Sequence, residues 1–327
     1  MRRREFITLL GGAAAGWPLL ARAQQPGLPV IGFMYAGSPN SGTLQISAFR
    51  KGLSEAGFVE GRNLAIEFRY AQNDPDLLPE IAADLVRRKV AVIFAFGSAA
   101  APLAAKATQT AIPIVFMAGS DPIQTGLVAS LSRPGSNITG VTTMSAELGA
   151  KRLRLLHELL PAATRFAALV NQTSSNAEVA VKDAQAAAAA IGREIEILAV
   201  VDNHDIDIAF ASLAKKRTDA VVVTPDALFG TRRAQLVTLA MFYRIPVIYP
   251  FREHAEIGGL MSYGANGAEQ TRQAGILVGR ILKGEKSADL PVMRASKFEF
   301  ILNVQTARIL GIEVPPTLLA IADEVIE

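Results

Sequence analysis

The strand and helix signals of residues 29–116 recur in the same order over residues 165–249, so this chain is written twice. In the first copy, residues 29–35 form a short apolar run that suits a strand buried on both faces. After a polar loop at 37–42, Phe49, Leu53 and Ala56 recur at helical spacing, and Gly57 stops that helix. Residues 64–70 alternate apolar and polar as a strand does. Asp74-Pro75 then opens a helix to about Arg88, followed by strand 90–96, helix 99–108 and strand 112–116. The second copy has strand 165–170, polar loop 171–176 and an alanine-rich helix that ends at Ile191-Gly192, as the first ends at Ala56-Gly57. Strand 195–201, helix 206–217 and strand 220–224 come next. A further helix leads to Ile245-Pro246-Val247-Ile248-Tyr249, an echo of Ile112-Pro113-Ile114-Val115-Phe116.

Alternating βα units imply parallel sheets with right-handed crossovers. The expected fold is therefore α/β, with two similar Rossmann-like lobes joined by a hinge. In such sheets ligands sit beyond the carboxyl ends of the strands, so two lobes facing one another through those ends make a cleft that can close. The tail belongs to neither copy: strand 258–263, helix 268–283 with Ala274, Leu277 and Ile281 on one face, strand 298–303, a short helix and a Val314-Pro315-Pro316 turn. The chain is expected to cross between lobes near 140–145 and 258–264, with a third crossing in the tail. That assigns 28–142 and part of 264–327 to the N-terminal lobe and 143–263 to the C-terminal lobe, the tail being shared.

The first residues give an address. Arg2, Arg3 and Arg4 precede an apolar stretch that runs to Leu20, and Ala21-Arg22-Ala23 is a small-x-small cleavage pattern. Residues 1–23 therefore read as a signal peptide, with export to the periplasm and cleavage near Ala23. Arg3-Arg4-Glu5-Phe6-Ile7 resembles the twin-arginine signal. The stretch is shorter than the ~20 residues of a spanning helix, so no stable membrane insertion is expected after cleavage. The whole chain carries 33 Lys+Arg and 30 Asp+Glu, but four arginines and one glutamate precede Gln24. The chain from Gln24 onward has 29 of each sign, so the basic balance belongs to the address and gives no nucleic-acid footprint. Cysteine is absent, which excludes disulfides, thiolate metal sites, a Cys nucleophile and a lipid-bearing cysteine after the signal.

Loops at strand carboxyl ends are the candidate ligand contacts. Gly97-Ser98-Ala99-Ala100 turns a strand into a helix, where free amides suit a carboxylate and Ser98 can also cap the helix. Asp121 and Asp226 place a carboxylate at such a loop in each lobe, for a ligand ammonium or for turn chemistry. Ser174 and Ser175 occupy the matching loop of the second copy, one to cap and one to face the cleft. Tyr263 sits beside the expected hinge strand and could stack on a ligand or pack in the core.

Enzyme signatures are missing: no GxGxxG between strand and helix, no GxxxxGK[ST], no GxSxG elbow. His157 lies in a Leu-rich helix. His204 stands among Asp202, Asp205 and Asp207, which read as a helix cap at the surface rather than a metal cluster. No catalytic residue, metal or cofactor is expected.

Beyond these loops, the stretch Ile112-Pro113-Ile114-Val115-Phe116 through Ser120-Asp121-Pro122 and Gly126-Leu127-Val128, the segment Pro134-Gly135-Ser136-Asn137-Ile138-Thr139-Gly140-Val141, the triplet Ser262-Tyr263-Gly264 and the closing 303–311 segment resemble the ABC-transporter substrate-binding proteins. The group in question includes tryptophan- and tyrosine-binding receptors. The resemblance implies a type I periplasmic-binding fold, no cofactor and a solute enclosed between lobes for delivery to an ABC permease; the protein itself is expected to be a monomer. It points to Ser98, Ala99, Ala100, Asp121, Ser174, Ser175, Asp226 and Tyr263 as binding positions. Gly37-Ser38-Pro39 departs from the longer polar segment of the amino-acid receptors, so the solute implied is amino-acid-like or carboxylate-bearing and no more specific. The alternatives are a ligand-sensing subunit of a signalling system and, on the same scaffold, a periplasmic enzyme using Asp121 with Asp226.

Overall fold

The structure, a computed structural model, describes residues 27–39, 42–72, 74–108, 112–174 and 176–327. The expected signal peptide lies outside the described residues.

Two sheets organise the chain. The first is built from β1 (Val30–Tyr35), β2 (Ala65–Tyr70), β3 (Val92–Phe96), β4 (Ile114–Ala118) and β5 (Ile138–Thr142). The second is built from β6 (Phe166–Asn171), β7 (Ile195–Val200), β8 (Ala220–Val223), β9 (Val247–Tyr249) and β10 (Met261–Ala265). The first runs β2-β1-β3-β4-β5 and the second β7-β6-β8-β9-β10, the same order, parallel throughout. The repeat in the sequence is thus a repeat of topology. Inner strands such as β4 and β8 are uninterrupted apolar runs, buried at every residue because both faces of each sheet are covered, whereas the outer β2 and β7 carry Glu67, Arg69 and Glu196.

The prolines of the two echoing pentapeptides explain a shift from the expected bounds. Proline has no N–H to give a ladder, and β4 and β9 each begin one residue after theirs. Both proline carbonyls still accept, Pro113 from Ile93 N and Pro246 from Val221 N, each at 2.9 Å.

In the first lobe, α1 (Thr43–Glu55) covers one face, while α2 (Leu78–Arg87) and α3 (Ala100–Thr108) cover the other. In the second, α4 (Gly149–Leu159) and α5 (Ala177–Ala190) cover one face, and α6 (Asn203–Lys215), α7 (Ala227–Thr231) and α8 (Arg233–Phe242) the other. The short α9 (Arg252–Glu256) comes after β9.

The lobes exchange helices. After β5 the chain crosses, and α4 buries Leu153, Leu155, Leu156 and Leu159 in the second lobe. After β10 it crosses back, and α10 (Gly267–Leu282) buries Ala274, Leu277, Val278 and Ile281 beside Ile46, Phe49 and Leu53 of α1. α1 and α10 touch backbone to backbone through glycines: a Cβ on Gly52 would lie 1.9 Å from Arg272 O, and one on Gly275 2.4 Å from Phe49 O. A third crossing comes after β11 (Met293–Arg294), which adds to the first sheet at Val141 and Thr142. The chain ends in the second lobe with β12 (Phe298–Asn303, antiparallel to β10), α11 (Val304–Leu310), α12 (Pro316–Ile321) and β13 (Glu324–Ile326).

The crossings therefore lie at 143–148, 265–267 and 295–297. The second falls later than the 258–264 expected, because β10 is a full member of the second sheet. Met261 and Ser262 pair with β9, and the backbone of Gly264 lies so close to Pro250 that a Cβ would come within 2.1 Å of its carbonyl oxygen.

Candidate functional site

Strand order 2-1-3-4-5 has one topological switch point, between its first and third strands, and ligands bind there. Each lobe has one. In the first, β1 and β3 end in register at Tyr35 and Phe96, whose rings lie 4.6 Å apart, and Gly97-Ser98 comes next. In the second, β6 and β8 are neighbours, and Asn171 at the end of β6 donates from Nδ2 to Asp226 Oδ1 at 2.8 Å, just past β8. Ser98 and Asp226 thus occupy equivalent positions in the two copies, and both line one cleft of about 400 Å³ between the lobes. That volume is in the range of small-molecule sites.

The first-lobe wall is neutral and rich in donors. Ser98 Oγ accepts the Gly119 N–H at 3.1 Å, which leaves its own proton for a solute. Thr143 and Ser145 add hydroxyls that lie 2.7 Å from each other. Tyr35, Phe96 and Met117 supply apolar surface.

The second-lobe wall carries the charges. Asp226 caps α7 through Leu228 N at 2.9 Å, using the same Oδ1 that Asn171 holds, so Oδ2 takes no hydrogen bond from the described residues. Arg233 lines the cleft with one hydrogen bond, from Nη1 to Gly230 O at 3.1 Å. Glu253 on α9 reaches across: Gln45 Nε2 of α1 donates to Glu253 Oε1 at 2.9 Å. Burial pushes the Glu253 carboxyl up from its ordinary value. His254 is buried and lowered to about 4 by that burial, so it is neutral at pH 7; both ring nitrogens face carbonyls, of Phe251 and Phe229, at 3.2 Å. Phe251 completes the apolar lining.

Of the residues nominated from the sequence, the structure brings Ser98 and Asp226 to the cleft. Ala100 begins α3 and is buried in the first-lobe core, with Ala99 packed against that core. Asp121 is held in its own turn: its Oδ1 accepts Ile123 N at 2.8 Å and its carbonyl takes Thr125 N and Oγ1. Ser174 N donates to Asn171 O, and its hydroxyl accepts Asn176 N at 3.4 Å. Ser175 lies outside the described residues. The Tyr263 ring packs on Phe298, and its carbonyl accepts Arg152 Nε at 2.8 Å, so its backbone belongs to the hinge. Near His204, Asp202 caps α6 by accepting Asp205 N at 3.0 Å. The loop at 250–253, one of the strand-end loops expected to meet a ligand, brings Phe251 and Glu253 to the cleft, whereas Gln45 and Arg233 went unnominated. These two lie on helices that only the folded arrangement turns toward the cleft.

Among the described residues no helix is long and apolar enough to cross a membrane. The chain is 29% identical over 266 residues to a tyrosine-binding protein of Clostridioides difficile (strain R20291), covering 81% of this chain and 76% of that protein. It resembles the solved ABC domain of Streptococcus pneumonia in complex with L-Trp, with TM-score 0.80 and 26% identity over 90% of this chain and 100% of that one. It also resembles a ligand-free, open substrate-binding protein with adhesive properties from Clostridium difficile, with TM-score 0.65 and 28% identity over 91% of this chain and 99% of that one. In this arrangement of the lobes the Gln45–Glu253 hydrogen bond joins them across the cleft. Residues 38–326 match the family of ABC transporter substrate binding proteins, and with two parallel-sheet lobes meeting at a cleft the chain belongs to that family.

Proposed function

We propose that this protein is an exported, periplasmic receptor that encloses a small amino-acid-like solute between its lobes, performs no chemistry on it, and hands it to an ABC permease. The observation that carries the reading is the polarity of the cleft at its two switch points. The Ser98 hydroxyl and the donors around it on one wall suit a carboxylate. The open Oδ2 of Asp226 on the other suits an ammonium. A zwitterion satisfies both at once, and the aromatic and thioether lining takes an apolar side chain. The tyrosine-binding and tryptophan-bound relatives support this class of solute.

The test is mass spectrometry of solute co-purified with the protein, then a thermal-shift panel of L-amino acids, their decarboxylated amines and small carboxylic acids. A ligand that binds only the folded state raises the midpoint by mass action. The expected result is protection by one or more L-amino acids and by neither half-analogue, with loss of protection in Asp226→Asn. Protection by a simple carboxylic acid that survives Asp226→Asn, or turnover of any bound solute, would overturn the reading.

A further inference from the structure

Among the described residues, the charged side chains that line the cleft are Asp226, Arg233, Glu253 and Glu256, all on the second lobe. The zwitterion uses only the first of them. Glu256 is committed elsewhere, since its Oε1 accepts Arg252 Nε at 2.7 Å. The same arginine gives Nη1 to Glu299 Oε2 and Nη2 to Glu324 Oε2, each at 2.8 Å, which fastens α9 to β12 and β13. Arg252 and its three carboxylates account for one another, and Arg233 and Glu253 are left over.

These two make no hydrogen bond to each other among the described residues. Arg233 gives Nη1 to Gly230 O at 3.1 Å, and Glu253 takes Gln45 Nε2 on Oε1 at 2.9 Å. Arg233 Nε and Nη2 and Glu253 Oε2 hold no bond to another described residue, although both side chains are half-buried. The guanidinium is close enough to the Glu253 carboxyl to offset part of the rise that burial causes there. From Asp226 the chain runs through α7 into α8 before it reaches Arg233, a helical path of about 10 Å. A donor and an acceptor without partners thus share one wall of the cleft, at a remove from Asp226.

Their chemistry restricts what fits against them. A guanidinium only donates, and an ionised carboxylate only accepts. A solute hydroxyl or carboxamide accepts from the one and donates to the other. A solute carboxylate meets Glu253, an ammonium meets Arg233, and an apolar end strips both of water and returns nothing.

We propose that Arg233 and Glu253 form a second recognition pole of the cleft, selecting solutes whose end remote from the ammonium carries a neutral group that both donates and accepts, a hydroxyl or a carboxamide. The proposal rests on the reading that Asp226 holds the ammonium of an amino-acid-like solute. The apolar lining takes the frame of the side chain, and the pole reads its tip.

Para-substituted L-phenylalanines put different tips on one frame. Calorimetry at neutral pH, on protein stripped of co-purified solute, compares L-phenylalanine with its para-hydroxy (L-tyrosine), para-carbamoyl, para-carboxy and para-aminomethyl derivatives. The better of the hydroxy and carbamoyl members is expected to bind about ten- to a hundredfold tighter than L-phenylalanine, and the two charged members no tighter than it. Arg233→Met and Glu253→Met should each bring that ratio close to one. A merely structural role for either residue would weaken the whole series together and leave the ratio standing. The wild-type ranking needs no variant, so it decides the matter even if a substitution prevents folding. A charged or apolar tip that binds at least as tightly as the better neutral polar one overturns the pole and leaves the receptor reading intact. So does a ratio that survives in either variant. Should no member of the series bind at about 1 mM, the natural L-amino acids replace it. A ranking headed by one with a charged or wholly apolar end then overturns the pole alone, and one headed by a hydroxyl or carboxamide end supports it. Silence from all of them overturns the receptor reading and the pole with it.

Discussion

Gln45 on α1 and Glu253 on α9 are joined by a 2.9 Å hydrogen bond that spans the cleft, first lobe to second. The bond works against a cost, since closing the lobes takes the Glu253 carboxyl out of water. Burial is the main cause that raises this carboxyl. Glu256 adds to it, and Gln45 and the Arg233 guanidinium partly offset it. A carboxyl that is higher in the closed form than in the open one takes up a proton on closing. Closure is then favoured at low pH and weakens as pH rises from the ordinary carboxyl value of 4.5 through the raised one. Solute affinity measured by calorimetry is expected to fall across that window in the wild type and to stay flat in Glu253→Gln. Gln45→Ala should weaken binding about fivefold, the worth of one hydrogen bond. Parallel pH profiles for wild type and Glu253→Gln would sink the idea.

The helix exchange makes a second expectation sharp. α10 belongs to the tail, yet it completes the first lobe by laying Gly275 against the backbone of Phe49. Neither partner at that crossing is a flexible side chain, so there is nothing to swing aside. Gly275→Ala is expected to destabilise the protein by about 3 kcal/mol, read from urea midpoints. A loss below about 0.5 kcal/mol, the range of ordinary surface changes, would mean that the helices separate freely.

The two copies also share their left-handed residues. Gly57 and Gly192 end equivalent helices with φ +91° and +67°, and these glycines were readable in the sequence as helix stops. Lys89 and Arg217 end the next pair of helices with φ +53° and +54°. The runs Arg87-Arg88-Lys89 and Lys215-Lys216-Arg217 carry cations suited to a helix C-terminus, and nothing in a lysine or arginine announces a left-handed backbone. Lys89→Gly and Arg217→Gly should each stabilise the fold by about 0.5–1 kcal/mol, most of the left-handed penalty less the added freedom of the unfolded chain. Lys89→Ala and Arg217→Ala serve as controls. Glycine variants no more stable than these alanine variants would contradict the assignment.

The features legible in the sequence are those whose physics is local. Burial on both faces of a sheet writes uninterrupted apolar runs, so the strands, the duplication and hence the two switch points were legible. With them came Ser98, two residues past the end of β3, and Asp226, three residues past the end of β8. Tyr263 was misleading because side chains alternate along β10, and its ring falls on the side of Phe298. Asp121, whose Oδ1 accepts Ile123 N in its own turn, differs from Asp226 in that its turn does not line the cleft, and no local signal separates the two. Gln45 and Arg233 carry no local mark. They become cleft residues because the helix leaving a strand end in one lobe points toward the other lobe, and that depends on how the two copies are docked.

Asp219 gives a test of the second lobe that involves no solute. Its burial alone would raise the carboxyl. The Arg165 guanidinium at 3.0 Å and the backbone N–H groups of Thr164 and Arg165, both at 2.9 Å onto Oδ2, outweigh that and bring it down to about 2. These bonds fasten the loop before β6 to the residue that leads into β8, so they hold the two strands of the switch point in register. A carboxyl lowered by folding stabilises the native state above its unfolded value of 3.8, and that contribution is lost as pH falls through about 2. With the side chain 26% exposed and its arginine partner more so, solvent screening trims the shift to about 1 kcal/mol. Asp219→Asn should therefore lose about 1 kcal/mol at pH 7, and the deficit should shrink as the pH is lowered toward about 2, because the wild type then gives up the same bonds. An Asp219→Asn deficit that is equal at pH 7 and pH 2.5, the latter about one unit below the ordinary carboxyl range, would show that packing rather than the charge holds these strands.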